Sequence, residues 1–589
     1  MPRSGLLRCA FCLLFLLCVS FADTYPRPVG FTAVHYAFEI ALTDASNEIQ
    51  VRDTVTVRAT QDNLRQVSLD LCQLRTVDEA ENHANPCLVR TPYGVRGTPA
   101  AKASNAGRGM AVTAVTADGA PLQYRQAHDR LVVALAAPIP LGAEFTFTVV
   151  YHGTPANGLL IGNNKYGDRE FFTNEWPDLA RNWLAVVDHP SDKATKVMSI
   201  TAPRKYQVIS NGLKTEETDL PGDLRRTVWQ EETPICTWQF SLGAAPFAVE
   251  YFGSYHGIDL SAWVYPQERD AGFAGFSAYT QPILEFYTDH IGPYSYEKLA
   301  QVEANGTGGG MELASDIFYG YAASGPGRQL IAHEMAHQWF GDSATEKDWD
   351  DVWLSEGFAT YFALLYQEHQ DGRDAFLQGV ESSAAQARRY AQANPDSTIV
   401  HRNLSDISQV IANNAQIYQG GAQVLHMLRG VVGDDNFWAG IRLYYRRFRN
   451  SNSSSLDFEH AMEDACTCDL SWYFPEWLNR GGVMNVSGSW KYDAANKQLE
   501  VTLGQTGEPR QMPFQLGIAE PPAPAAAAAG RGRGGRGSRR GAPPAAAAIP
   551  VLMLKQARQT FTIPLAAAPA SVTLDPNHWV TMAEMSFHG

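Results

Sequence analysis

LIAHEMAHQWFGD, residues 330–342, sets two histidines and a glutamate inside an apolar segment. Leu330, Ile331, Met335, Ala336, Trp339 and Phe340 recur at helical intervals, so the stretch is expected to be a buried or half-buried helix. Residues four apart share a helix face, so His333 and His337 turn two imidazoles toward one point about 2 Å from each nitrogen. Glu334 is turned about 100° away and reaches the same region without ligating. In this H-E-x-x-H arrangement the histidines hold zinc and the glutamate acts as general base.

A second amphipathic helix is expected in DDVWLSEGFATYFALLY, residues 350–366, with Glu356 in its first turn. The interval from His337 leaves room for one helix to end near Gly341, a loop to cross, and the carboxylate of Glu356 to return to the histidines. Two imidazoles and one carboxylate leave a fourth tetrahedral position open, the mark of a catalytic rather than a structural zinc. The expected cofactor is one Zn2+ per chain.

The rest of the 589 residues frames this centre. A chain of this length is expected to form roughly three or four domains. A net charge of -15 argues against a nucleic-acid surface. Short alternating runs such as FEIALTD, IQVRDTVTVRAT and FTFTVVYHG make residues 23–252 an N-terminal β domain; 253–482 turn helical and carry the chemistry. Strand patterns return over 483–589, interrupted at 521–548 by a Pro, Ala, Gly and Arg segment expected to be a disordered surface insertion. The fold class is therefore multidomain α+β.

Residues 1–22 read as a signal peptide, with Arg3 and Arg8 before an apolar core and Ser20 and Ala22 at cleavage positions. No later stretch reads as a transmembrane segment, so no membrane insertion is expected after cleavage. Cleavage would leave Cys72, Cys87, Cys236, Cys466 and Cys468. Export favours oxidation, Cys72 and Cys87 can close a loop, and the odd count leaves at least one thiol free or intermolecular. Cys466 and Cys468 lack a neighbouring Cys or His cluster and read as structural.

HEMAHQWFGD and WLSEGFATYF resemble the M1 zinc aminopeptidases, gluzincins whose signature is H-E-x-x-H, eighteen residues, then Glu. GGGMEL at 308–313 resembles that family's G-x-M-E-N exopeptidase motif, IYQGGAQVLHMLR at 417–429 its tyrosine segment, and LARNWLAVVDHPSDKAT at 179–195 a first-domain block. The likeness implies a thermolysin-like catalytic domain, with a C-terminal β-sandwich completing the chain. It also implies that Tyr418 donates to the oxyanion and that Glu312 binds the substrate's free α-ammonium group. Gly309, Gly310 and Met311 join Glu312 in binding substrate, the glycines leaving room for a peptide to align as an added strand.

Two departures stand out: Leu313 replaces the usual Asn, and TNEWPD at 173–178 places Trp176, with Glu175 beside it, where the family carries a second amine-binding residue. The amine site is thus Glu312 with Glu175, or Glu312 alone. Asp348, Asp350 and Asp351 are near enough to hydrogen-bond a zinc histidine or to serve as ordinary loop residues.

The expected partners are peptides with free N-termini and no nucleic acid. Many family members continue into a large helical domain; with the chain ending at Gly589, that cap is expected to be absent and the cleft open. A glycan at the Asn305-Gly306-Thr307 acceptor would obstruct the proposed cleft, so an exported bacterial protein, periplasmic or secreted, is expected. Competing readings are a related zinc hydrolase acting on internal peptide bonds or epoxides, and a non-catalytic peptide-binding module. An intact general base argues against the module, and Glu312 against the endopeptidase.

Overall fold

The computed structural model describes residues 27–77, 87, 104–305, 309–320, 327–400, 415–519 and 550–589. The signal-peptide segment, the 521–548 insertion, Gly308 and two residues of the 305–307 acceptor lie outside these.

The first part is built on an eight-stranded sheet. Its order is Leu213–Leu220, Leu224–Cys236, Lys193–Pro203, Phe31–Ala41, Ile49–Ala59, Glu144–Thr154, Gly109–Ala117 and Ala120–Pro121. Strict alternation explains why: along Ile49–Ala59 the even-numbered residues face outward while Ile49, Val51, Val55, Val57 and Ala59 are buried. Cys72 is bridged to Cys87 and Cys466 to Cys468, while Cys236 is free and buried, its thiol donating to the Pro190 carbonyl at 3.0 Å.

A five-stranded sheet follows, in the order Ala248–Tyr255, Ile258–Val264, Lys298–Glu303, Asp316–Tyr319, Gly310–Met311. Gly310–Met311 is last in that order, antiparallel to its neighbour, with Gly310 opposite Tyr319. The helices of this part, among the described residues, are α1 (Arg269–Ser277), α2 (Thr280–His290), α3 (Arg328–His337), α4 (Trp353–Asp371), α5 (Arg373–Ala393), α6 (Gly421–Val432), α7 (Asp434–Phe448), α8 (Ser455–Cys466) and α9 (Tyr473–Leu478). Helix α4 is buried along almost its whole length by Trp353, Leu354, Phe358, Tyr361, Phe362 and Leu365, and Gly372, with φ of +86°, ends it.

Residues 484–588 form a four-stranded sheet (Arg558–Pro564, Gln498–Thr506, Met484–Asp493, Ala583–His588) and a three-stranded one (Val551–Leu554, Met512–Ala519, Ser571–Leu574). Trp579 seats this unit on the helices. Its ring lies 5.2 Å from the guanidinium of Arg373 and 5.9 Å from that of Arg429, against Gly430, where a methyl group would fall 2.6 Å from the indole Cγ. Next to it, His426 Nε2 donates to the His578 carbonyl at 2.9 Å and Nδ1 faces the Tyr361 hydroxyl at 3.3 Å.

Helices α4 and α6 cross at two glycines. A methyl group on Gly357 would lie 2.9 Å from the Cα of Gly421 and 3.2 Å from the Ile417 carbonyl oxygen. That approach brings the residue before Gly357, Glu356, alongside the single π-helical turn Ala415–Gly420, which carries Tyr418. Gly357→Ala is expected to wedge the helices apart and to cost about 1–3 kcal/mol of stability. Urea denaturation of the zinc-loaded protein would measure this.

Candidate metal centre and active site

Helix α3 supplies His333 and His337 and ends at His337, short of the reach suggested by the apolar period. The chain leaves it through Gly341, whose φ of +118° is a left-handed value that favours glycine. There is no room for a side chain there, since a Cβ would lie 2.3 Å from Ser355 Oγ. The loop after α3 is pinned by the first domain: Lys193 Nζ donates to the carbonyls of Asp342 (2.9 Å) and Ser343 (2.8 Å), and Gln239 Nε2 to those of Gly341 and Asp342 (both 3.2 Å).

Three donor atoms meet between α3 and α4. His333 Nε2 and His337 Nε2 are 3.2 Å apart, and Glu356 Oε2 is 3.4 Å from the first and 3.3 Å from the second. Atoms each about 2.0–2.1 Å from one tetrahedral zinc are separated by about 3.3–3.4 Å, so the spacing fits that ion. Glu356 Oε2 is buried and makes no hydrogen bond, although buried carboxylate oxygens ordinarily have a partner. Its other oxygen accepts from the Tyr418 hydroxyl at 2.5 Å.

Burial pushes the Glu356 carboxyl up, but the facing imidazoles of His337 and His333 outweigh it and hold it at about 2, so it stays ionised. His, His and carboxylate with an open side is a donor set suited to zinc, and zinc is the cofactor of this centre.

A metal-bound histidine is oriented by what its other nitrogen touches. For His337 the partners of Nδ1 are Ser355 Oγ at 2.9 Å and the Phe340 carbonyl at 3.3 Å, not the aspartates downstream. Asp348 is paired with Arg27, and Asp351 accepts from Ser455 Oγ at 2.6 Å. Ser355 and Gly341 carry no signal that sequence reasoning could have used, because their part depends on the contact between the end of α3 and the start of α4. Ser355→Ala is expected to weaken zinc binding about 10-fold, the low end for such partners, because the Phe340 carbonyl can still accept from Nδ1. Competition with a chromophoric chelator would measure this.

Glu312 and Glu334 approach the same centre from the other side. Donor atoms of Glu312, Glu334 and His337 all lie within 4.8 Å of one another. Burial, then the charge of Glu312, pushes the Glu334 carboxyl well above its ordinary value; burial also raises Glu312, against the pull of His337. Edge residue Gly310 lies directly against Glu334, since a Cβ there would be 2.1 Å from the Glu334 Cδ.

Met311 is buried beside them, and Gly309 leads into the strand. Tyr418 stacks parallel to His333 with centroids 5.9 Å apart, and burial, then Glu356, raises its hydroxyl pKa well above the ordinary value, so it remains a donor.

Glu175 is placed differently. It is buried in the first domain, where Oε1 accepts from Trp183 Nε1 at 2.7 Å. Trp176 packs edge-on against Trp349 at 6.2 Å.

The chain is similar to known proteins. Residues 278–477 match the peptidase family M1 domain and residues 34–238 the peptidase M1 N-terminal domain. The chain is 26% identical over 363 residues to glutamyl aminopeptidase of Rattus norvegicus, covering 59% of this chain and 38% of that protein. It is 27% identical over 408 residues to probable aminopeptidase 1 of Sulfurisphaera tokodaii, covering 64% and 50%. The chain thus spans half or less of the length of these curated relatives. Among solved structures it is similar in fold to a variant M1 zinc metallopeptidase from Deinococcus radiodurans bound to a Tyr-Ser-Ala substrate, with TM-score 0.63, 23% identity and coverage of 78% and 96%.

Proposed function

Because the chain belongs to peptidase family M1, we propose that it is a zinc-dependent aminopeptidase that removes the first residue of peptides with free N-termini. The observation that carries this reading is the convergence of Glu312 and Glu334 on the metal-binding histidine His337, beside the edge strand Gly310–Met311.

The edge strand offers backbone groups to an extended peptide. Glu312 takes the substrate's α-ammonium in a charge-assisted hydrogen bond, which fixes the first peptide bond over the donor atoms of α3 and α4. When bound, zinc supplies Lewis acidity, polarising the scissile carbonyl and bringing the pKa of the attacking water toward about 7. Glu334 accepts the water's proton at a carboxylate oxygen and returns it to the leaving nitrogen. The Tyr418 hydroxyl, stacked on His333, gives up its bond to Glu356 and turns its one proton to the developing oxyanion.

The test is hydrolysis of matched peptides with free and N-acetylated termini by the purified chain, with a chelator control. Stepwise loss from free termini alone, abolished by chelation, is the expected result. Equal cleavage of capped peptides would replace this reading with an endopeptidase. No cleavage of either would move it to the non-peptide hydrolase or the binding module.

We also infer that the chain is exported, which the disulfides Cys72–Cys87 and Cys466–Cys468 support, since such bonds persist in oxidising compartments. Among the described residues no helix is long and apolar enough to cross a membrane. A mature N-terminus other than Asp23 by protein sequencing would overturn the proposed cleavage.

A further inference from the structure

Glu312 belongs to the segment after the edge strand, whereas the zinc donors belong to α3 and α4, so the two must be held in register. Gln338, the residue after His337, touches both parts. It is fully buried, and its amide is hydrogen-bonded at both ends. Nε2 donates to the Glu312 carbonyl at 3.2 Å and to Asp342 Oδ2 at 2.6 Å. Oε1 accepts from the Ser315 N–H at 2.9 Å and faces, at 3.2 Å, the Tyr294 hydroxyl, whose one proton is shared with the Lys298 carbonyl at 3.0 Å.

The segment it grips is under backbone strain. Ser315 has φ of +65°, a left-handed value costly for a residue with a side chain. Further bonds hold it there: Lys298 Nζ and the Gly212 N–H donate to Ser315 Oγ at 3.0 and 3.1 Å, and Asn211 Nδ2 donates to the Ala314 carbonyl. Of these contacts, only those of Gln338 run directly to α3.

We propose that Gln338 is a positioning residue for amine recognition: its amide sets the separation between Glu312 and the metal-binding face of α3, and thereby which peptide bond is presented for cleavage. This rests on the reading of Glu312 as the ammonium anchor. A misplacement near 1 Å costs on the order of 10²-fold in such sites. Methionine has a similar length and no amide, so Gln338→Met would leave the Glu312 carbonyl and the Asp342 carboxylate without this donor and release the anchor from the helix.

The experiment is calorimetric titration of the zinc-loaded full chain with L-leucinol, which has no bond to cleave, and N-acetyl-L-leucinol. The wild type is expected to bind the free amine about 10-fold or more tightly than its acetylated form. Absence of that preference would sink the anchor reading itself, independently of Gln338.

With the preference present, Gln338→Met is expected to reduce it by about 10–100-fold or to abolish it, with zinc content and affinity for the acetylated ligand unchanged. A preference retained at the wild-type value would overturn the proposal. Should that variant not fold, Gln338→Asn, one methylene too short to reach both segments, is expected to reduce the preference about fivefold. An unchanged preference in Gln338→Asn would overturn the proposal equally.

Discussion

Glu334→Gln should lower kcat/KM by about three orders of magnitude while leaving one zinc per chain. The two parts of this result separate a base from a ligand. Glu334 is not among the three atoms spaced for the metal, so an amide in its place leaves the donors His333, His337 and Glu356 intact. It does remove the group that takes a proton from water. Glutamine is isosteric and still fits against Gly310, so the substrate strand keeps its path. Steady-state kinetics with a free-amine peptide, paired with metal analysis of the same sample, would decide the matter. A variant losing less than about 10-fold would show that proton transfer is served by another group.

Glu356→Ala should instead remove both metal and activity. The carboxylate supplies the third donor, and its negative charge would partly neutralise the ion held there. Its loss leaves only the histidines and frees the Tyr418 hydroxyl from its acceptor. The expected fall in zinc affinity exceeds the 10–100-fold that loss of an outer partner costs. Dialysis against a weak chelator, with the zinc content of wild type and variant compared, measures it. Retention of zinc by Glu356→Ala at wild-type strength would mean that the metal is bound elsewhere.

The residues whose meeting was legible in the sequence are those whose relation is local. His333 and His337 are four apart on one helix, and helical geometry alone puts them on one face. Glu356 was legible because its distance along the chain suits a returning helix. Tyr418 was assigned by resemblance only, and the reason is now physical: it reaches Glu356 because α4 and α6 meet at Gly357 and Gly421, a contact between segments far apart in the chain. The β-rich character of the first and last parts followed from strict alternation, which has the same period in any sheet.

What was not legible depends on particular three-dimensional neighbours. Three aspartates near 350 were reasonable partners for a zinc histidine, yet Arg27 holds one and Ser455 another, and Ser355 stands at His337 instead. The sequence left open whether Glu175 assists at the amine site; in the fold one of its carboxylate oxygens accepts from the indole of Trp183 and the other is buried without a hydrogen-bond partner.

The seat of Trp579 bears on how freely such a chain can be divided. The three compositional regions look like interchangeable modules, and the last one lies outside the two matched family domains. Yet the socket for that indole is cut into α6 at Gly430 and walled by Arg373 and Arg429, on the helix whose other end meets α4 next to a zinc ligand. A different terminal unit grafted onto these helices would have to bring its own plug for that socket, so the third region and the helices that receive it form one packed unit.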